Sequence, residues 1–118
     1  MDHRNELGRQ GENIAAAFLQ KKGYDVAEQN WRCYYGEIDL IVTRGEEIRF
    51  IEVKMRESLA SGYPEESVTD SKLNRLEGLA HVYLDKHDIS DSDFHIDVIA
   101  IGPDEQGKME LRYLMDVG

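Results

Sequence analysis

The chain has one cysteine, Cys33, among 118 residues. An internal disulfide is therefore excluded, as is a cysteine-rich zinc site, and the lone thiol reads as passive. No apolar run approaches the ~20 residues that span a bilayer. The opening segment, Met1 to Leu7, carries no apolar signal region. Together these absences predict a cytoplasmic protein that does not enter the membrane. Positive charge is scarce as well. Fourteen Lys and Arg stand against 24 Asp and Glu, a formal net charge of -10. Taken alone, that balance argues against a nucleic-acid partner. The deficit is uneven, however. Residues 1–56 hold 10 acidic and 9 basic side chains, whereas residues 57–118 hold 14 and 5. Much of the excess falls between Asp85 and Asp93, read as a solvated loop. No repeat, low-complexity stretch or linker divides the chain. Residues 1–118 fit one globular domain, with 41% hydrophobic content to build a core.

What is present is an ordered alternation of patterns. Leu7, Gly11, Ile14, Ala15, Phe18 and Leu19 recur at helical spacing and predict a helix over residues 5–22. Gly23 is placed to stop it as a left-handed cap. A first strand is expected over 24–31, polar enough to lie at an edge. Strands over 36–43 and 47–55 flank an Arg44-Gly45-Glu46 turn and form a hairpin. Residues 56–66 read as a loop broken by Gly62 and Pro64. Thr69 or Ser67 caps a second helix to about residue 86, with Leu73, Leu76, Leu79, Ala80, Tyr83 and Leu84 on its apolar face. A fourth strand covers 94–101. A Gly102-Pro103-Asp104 turn leads to a fifth over 109–115. The order is αβββαββ. The central strands are apolar on both sides, which implies a mixed α/β sheet flanked by helices.

Charge interrupts those central strands. Asp39 sits inside Gly36-Glu37-Ile38-Asp39-Leu40-Ile41-Val42, and Glu52 and Lys54 sit inside Phe50-Ile51-Glu52-Val53-Lys54. Strand side chains alternate, so Glu52 and Lys54 share a face. The hairpin can bring Asp39 beside Glu52. A structural salt-bridge cluster is the plain explanation, but buried ion pairs gain little over their desolvation cost. Two carboxylates against one lysine also leave negative charge for a cation to neutralise. Two carboxylates with water and a phosphate oxygen make a hard-oxygen site suited to Mg²⁺ or Mn²⁺. Glu12 falls at the margin of the first helix's apolar face and leans toward the sheet, although alone it reads as a surface glutamate paired with Arg9. Glu37 starts its strand and reads as a surface or supporting residue. Asp97, inside the fourth strand, reads as a structural hydrogen-bonding group. His81 and His95 have no partner at ligand spacing, His3 and His87 read as exposed, and none is assigned to a metal.

Asp39 followed by Glu-Val-Lys at 52–54 resembles the PD-(D/E)xK nuclease core, with Ile38 where the name has proline. An isolated triplet of this kind recurs by chance. The wider pattern is specific. Gly8-Arg9-Gln10-Gly11-Glu12, Gly23-Tyr24, Asn30-Trp31-Arg32, Gly36 to Ile41, Phe50 to Lys54, Arg56, and Pro64 to Val68 with Lys72 resemble the bacterial YraN family. The resemblance covers roughly residues 8–100. It implies a restriction-endonuclease-like fold similar to archaeal Holliday-junction resolvases. By position it implies Asp39, Glu52 and Glu12 as metal ligands and catalytic residues, with Lys54 as the catalytic lysine. A resolvase-like enzyme would also work as a homodimer, to reach two strands symmetrically.

The expected function is a divalent-metal-dependent endonuclease that hydrolyses phosphodiester bonds of DNA, branched or damaged, with no small-molecule cofactor. Arg56, Lys72 and Arg75 are the expected phosphate contacts. Arg32, Tyr34 and Tyr35 precede the motif strand; aromatics there could stack on bases, but core or hairpin packing is their expected role. The alternatives are a non-catalytic domain binding nucleic acid or protein, and an acidic interaction module. Asp39, Glu52 and Lys54 together favour the enzyme. The acidic second half favours the alternatives, since it would repel a phosphate backbone unless basic residues gather on one face.

Overall fold

A computed structural model describes residues 3–90 and 94–118, with side chains from residue 5 onward. Helix α1 (His3–Lys21) leads into β1 (Asp25–Cys33), β2 (Gly36–Arg44) and β3 (Glu47–Met55). Helix α2 (Asp70–Lys86) follows, then β4 (Phe94–Pro103) and β5 (Met109–Leu114). The strands form one sheet in sequence order. Neighbours are antiparallel except β3 and β4, which run parallel because the segment carrying α2 returns the chain to the same end. The architecture is a mixed five-stranded sheet flanked by helices, in the expected order.

Each face of the sheet has its own core. On one, Ala15, Ala16 and Leu19 of α1 pack on Leu40, Val42, Ile51 and Ile99. On the other, Leu76, Leu79, Ala80, Tyr83 and Leu84 of α2 pack on Ile38, Ile41, Phe50 and Ile96. This is why β2 to β4 read as apolar on both sides while β1, at the edge, does not.

Local chemistry explains the boundaries. The α1 helix ends where Gly23 takes a positive φ of 93° and its amide returns to the Gln20 carbonyl. Thr69, not Ser67, caps α2, its side chain accepting from the Lys72 amide. Ser67 instead donates to the Pro64 carbonyl at 2.8 Å, within a short 3-10 turn, Pro64–Ser67, that begins in the expected loop and ends one residue past it.

Four expectations shift. Ile14 is exposed and Ala16 takes its place on the buried face of α1, because the contact turns on the close approach at Gly11. The first strand runs on to Cys33, held by its pairing with Gly36. The fourth runs through Pro103, and its turn is formed by Asp104, whose carboxylate accepts from the Gln106 and Lys108 amides. The loop expected from Asp85 begins inside α2; residues 85–90 are exposed as expected, and 91–93 lie outside the described residues, as does the His3 side chain.

Candidate functional site

The site begins where the sheet's regularity ends. The β2–β3 ladder stops at Leu40–Ile51. One step beyond, the Asp39 carboxylate accepts the Val53 amide at 2.9 Å, standing in for a strand carbonyl. On the other side of β2, Asn30 lies between the Gln29–Leu40 and Trp31–Ile38 pairs with φ of 57°. A left-handed residue inside a strand breaks the alternation of faces. Ile38 and Leu40 are two apart, yet they pack on opposite faces, Ile38 toward α2 and Leu40 toward α1. Trp31 accompanies Ile38 toward α2, while Gln29 donates to Asn13 of α1 at 2.8 Å. Asp39 occupies the centre of this kink.

Gly11 brings the third carboxylate in. A Cβ there would lie 3.0 Å from the Met55 Cβ and 3.6 Å from Val53. The missing side chain lets α1 approach β3 closely, and the next residue, Glu12, is carried against the sheet. It is 9% exposed. Asn30 hydrogen-bonds one end of it, but Glu12 Oε1 is buried with no partner.

Electrostatics show the strain of this arrangement. Burial pushes the Glu52 carboxyl up to about 8, helped by the charge of Asp39 and a hydrogen bond with it. Burial likewise raises Asp39, against the pull of the Val53 amide, the Glu52 hydrogen bond and the Lys54 charge. Glu12 rises to about 7, through burial and then Asp39. Asp39 and Glu52 share a hydrogen bond, and burial raises the proton affinity of both.

A cavity of about 280 Å³ opens over the cluster, lined by Glu12, Glu37, Asp39, Glu52 and Lys54 below and by Lys72, Arg75 and Leu79 of α2 above. A second hollow of about 640 Å³ shares Glu12 and Glu37 with it and adds Arg9, Asn30 and Arg32. A third, of about 350 Å³, shares Lys54 and adds Arg56, Ser58 and Ser61. Asp39 and Glu52 line only the first hollow, Glu12 and Glu37 join it to the second, and Val53 and Lys54 join it to the third; Arg9, Arg32, Arg56, Lys72 and Arg75 are spread over the three. The net acidity of the chain does not describe this surface.

Glu12, Asp39, Glu52, Lys54, Lys72 and Arg75 thus come together, and Arg56 lies next door with Lys54. Glu37 is exposed and pairs with Arg32 at 3.1 Å, yet it lines the cavity. Lys72 also donates to the Ser67 carbonyl at 2.8 Å, which holds its side chain over the entrance. Asn30 and Arg9 had not been assigned to the site. Asn30, an unusual residue to find left-handed in a strand, has no periodicity signal. Among the described residues, no three His, Cys, Asp or Glu side chains meet metal-ligand spacing. The Asp39–Glu52 pair matches what Mg²⁺ usually takes from a protein, one or two carboxylates, the remainder being water and substrate phosphate.

The chain matches the uncharacterised protein family UPF0102 over residues 11–101. A UPF0102 protein of Beutenbergia cavernae is 42% identical over 118 residues, the whole of both chains. One of Renibacterium salmoninarum is 42% identical over 96% of each chain. One of Moorella thermoacetica is 42% identical over 90% of this chain and 88% of its own. The chain belongs to this family, the YraN family of the sequence resemblance.

Proposed function

We propose that this member of the UPF0102 family is a divalent-metal-dependent DNA endonuclease on a restriction-endonuclease-like PD-(D/E)xK core. One observation carries the reading: the Glu12, Asp39 and Glu52 carboxylates line one cavity together with Lys54, and Lys72 and Arg75 of α2 face them across it. A structural ion cluster would be balanced and fully hydrogen-bonded. This one leaves an oxygen of Glu12 buried without a partner.

Asp39 and Glu52 would hold Mg²⁺ or Mn²⁺, with Glu12 joining directly or through water. Bound there, such a cation polarises a phosphodiester and acidifies its water. Lys54, two residues beyond Glu52 on the same strand, would orient the attacking water or stabilise charge growing on the phosphate. Lys72 and Arg75, on the opposite wall, would fix the backbone on one side of the scissile phosphate, and Arg56 on the other. Asn30 would hold the Glu12 carboxylate in place.

The absence of a third close ligand among the described residues favours a second reading, a binding domain that keeps the fold without cleaving. One experiment separates the two. Purified protein is incubated with branched, single-stranded and duplex DNA in Mg²⁺, Mn²⁺ or chelator, alongside Asp39→Asn and Lys54→Ala. The expected result is metal-dependent cleavage that falls at least ~100-fold in each variant, the cost typical of removing a group that stabilises charge in the transition state. Binding without cleavage under every metal establishes the binding domain. No divalent binding by calorimetry sinks the metal centre itself.

A further inference from the structure

The turn joining β1 to β2 is made of two tyrosines. Tyr34 is 96% exposed and Tyr35 69%. The expectation that these rings pack is overturned: they touch each other edge to face, with centroids 5.3 Å apart, and project from the fold. Two-residue hairpin turns favour Gly, Asn and Asp, whose small side chains tolerate the backbone that the turn needs. Two large rings there do nothing for the turn. Fully solvated aromatic surface is also unfavourable when it has no occupant.

The tip is held in place. Cys33 pairs with Gly36 and packs against the α2-side core. Gly36 has φ of 146°, and a Cβ there would stand 3.4 Å from Leu79, so the turn rests on α2. The two tyrosines are flanked by Arg32 and Glu37, which line the hollow running to the carboxylates. Along β2, Tyr35 lies four residues from Asp39, ~13 Å at strand rise. That is roughly four nucleotides of stacked strand.

We propose that Tyr34 and Tyr35 form a stacking platform for unpaired bases of the nucleic acid whose backbone enters the carboxylate cavity. The inference rests on the proposed function for the location of the scissile phosphate and adds its substrate class: DNA with single-stranded character beside the cleavage point. Aromatic rings hold bases without regard to sequence. In a duplex the base faces are already stacked, so the platform discriminates against intact double strand. Arg9 and Arg32 line the hollow that also holds Glu12 and Glu37, and Arg32 is two residues before Tyr34.

The test is equilibrium binding, by fluorescence anisotropy, of a labelled oligothymidylate and a duplex of equal length. Chelator is present so that nothing is cleaved. The proteins are the unaltered chain, Tyr34→Ala/Tyr35→Ala, and Tyr34→Trp/Tyr35→Trp. The alanine pair should weaken single-strand binding at least about tenfold. It should change duplex binding by less than about twofold and leave the melting temperature unchanged, and the tryptophan pair should keep the single-strand affinity. Equal losses on both DNAs, or no loss, overturn the platform, as does failure of the unaltered chain to bind the oligothymidylate. A pair needed only for self-association, seen as a dimer that the alanine variant loses with DNA binding intact, overturns it too. The cleavage assay fails separately. Cleavage of branched DNA that is indifferent to the tyrosines leaves the nuclease and sinks the platform, whereas tyrosine-dependent binding without cleavage does the reverse.

Discussion

Two aspartates sit in the middle of buried strands of this sheet, and they differ in the company they keep. Asp97 of β4 is fully buried. It accepts from Arg49 at 3.0 and 3.2 Å, from the Tyr113 hydroxyl at 2.6 Å and from the Asp116 amide at 2.9 Å. Arg49 in turn pairs with Glu47, which also accepts from Tyr24. Burial opposes the charge on Arg49, but Glu47 and Asp97 outweigh it and raise its proton affinity. Burial and the bond to Asp97 raise Tyr113, keeping its hydroxyl a donor. At the other end of β2 and β3, Asp39 meets two more carboxylates and a single lysine. The first cluster is closed in its hydrogen bonds: each carboxylate oxygen of Asp97 accepts from Arg49 and from a second donor. The second is open: Asp39 and Glu52 share one hydrogen bond, and Glu12 Oε1 is buried without a partner. Charge burial alone does not mark a functional site. What separates the two clusters is whether their polar atoms find partners within the protein.

The comparison can be broken most forcefully by removing each aspartate. Asp97→Ala should cost about 3–5 kcal/mol in urea unfolding, because it strands Arg49 in the interior. Asp39→Asn, which removes excess charge, should change the metal-free protein by less than ~1 kcal/mol or stabilise it. Similar losses from the two would erase the distinction.

Next in size is the response to pH. Folded values of about 7 for Glu12 and about 8 for Glu52 lie above the ordinary 4.5. Their contribution to stability is therefore fully present below about 4.5 and is lost as pH rises through 7 and 8. The metal-free melting temperature should fall by at least about 4 °C between pH 5.5 and 8.5, the shift that ~1 kcal/mol produces in a domain of this size. Saturating Mn²⁺ should raise it more at pH 8.5 than at 5.5, since metal and proton compete for the same oxygens. Glu52→Gln should flatten both trends. A scan in which Mn²⁺ has the same effect at both pH values would remove the open cluster from consideration.

The smallest effect should come from Arg32→Ala. Its pair with Glu37 is solvent-exposed, and such pairs contribute about 0–1 kcal/mol. Thermal melting should hardly register its loss. A change above ~1 kcal/mol would mean that the rim belongs to the structural framework.

Much of this was legible in the linear order of residues. The β2–β3 hairpin, both helices and the edge character of β1 follow from local periodicity and from Gly23, Gly45 and Thr69. So does the convergence of Asp39 with Glu52, because a tight turn fixes the register of adjacent strands. The depth of Glu12 was not legible: it depends on how closely α1 approaches β3, which Gly11 permits but does not announce. Neither was the fate of Tyr34 and Tyr35, since aromatics beside a turn read equally well as packing.

By itself, then, the sequence determined the succession of elements, the amphipathic faces and the charged residues placed inside apolar strands. Those are properties of neighbours along the chain, set by backbone periodicity and side-chain type. The tertiary structure decided which buried charges would be closed and which left open. Asp97 found Arg49 across the parallel β3–β4 pairing, 48 residues away, whereas Asp39 was set at a kink made by Asn30 and faced with Glu12. It also brought Lys72 and Arg75 of α2 over the cavity that holds Asp39 and Glu52, with Arg9 and Arg32 in one adjoining hollow and Arg56 in another. Compensation of charge depends on distances in space, and no spacing along a chain carries those distances.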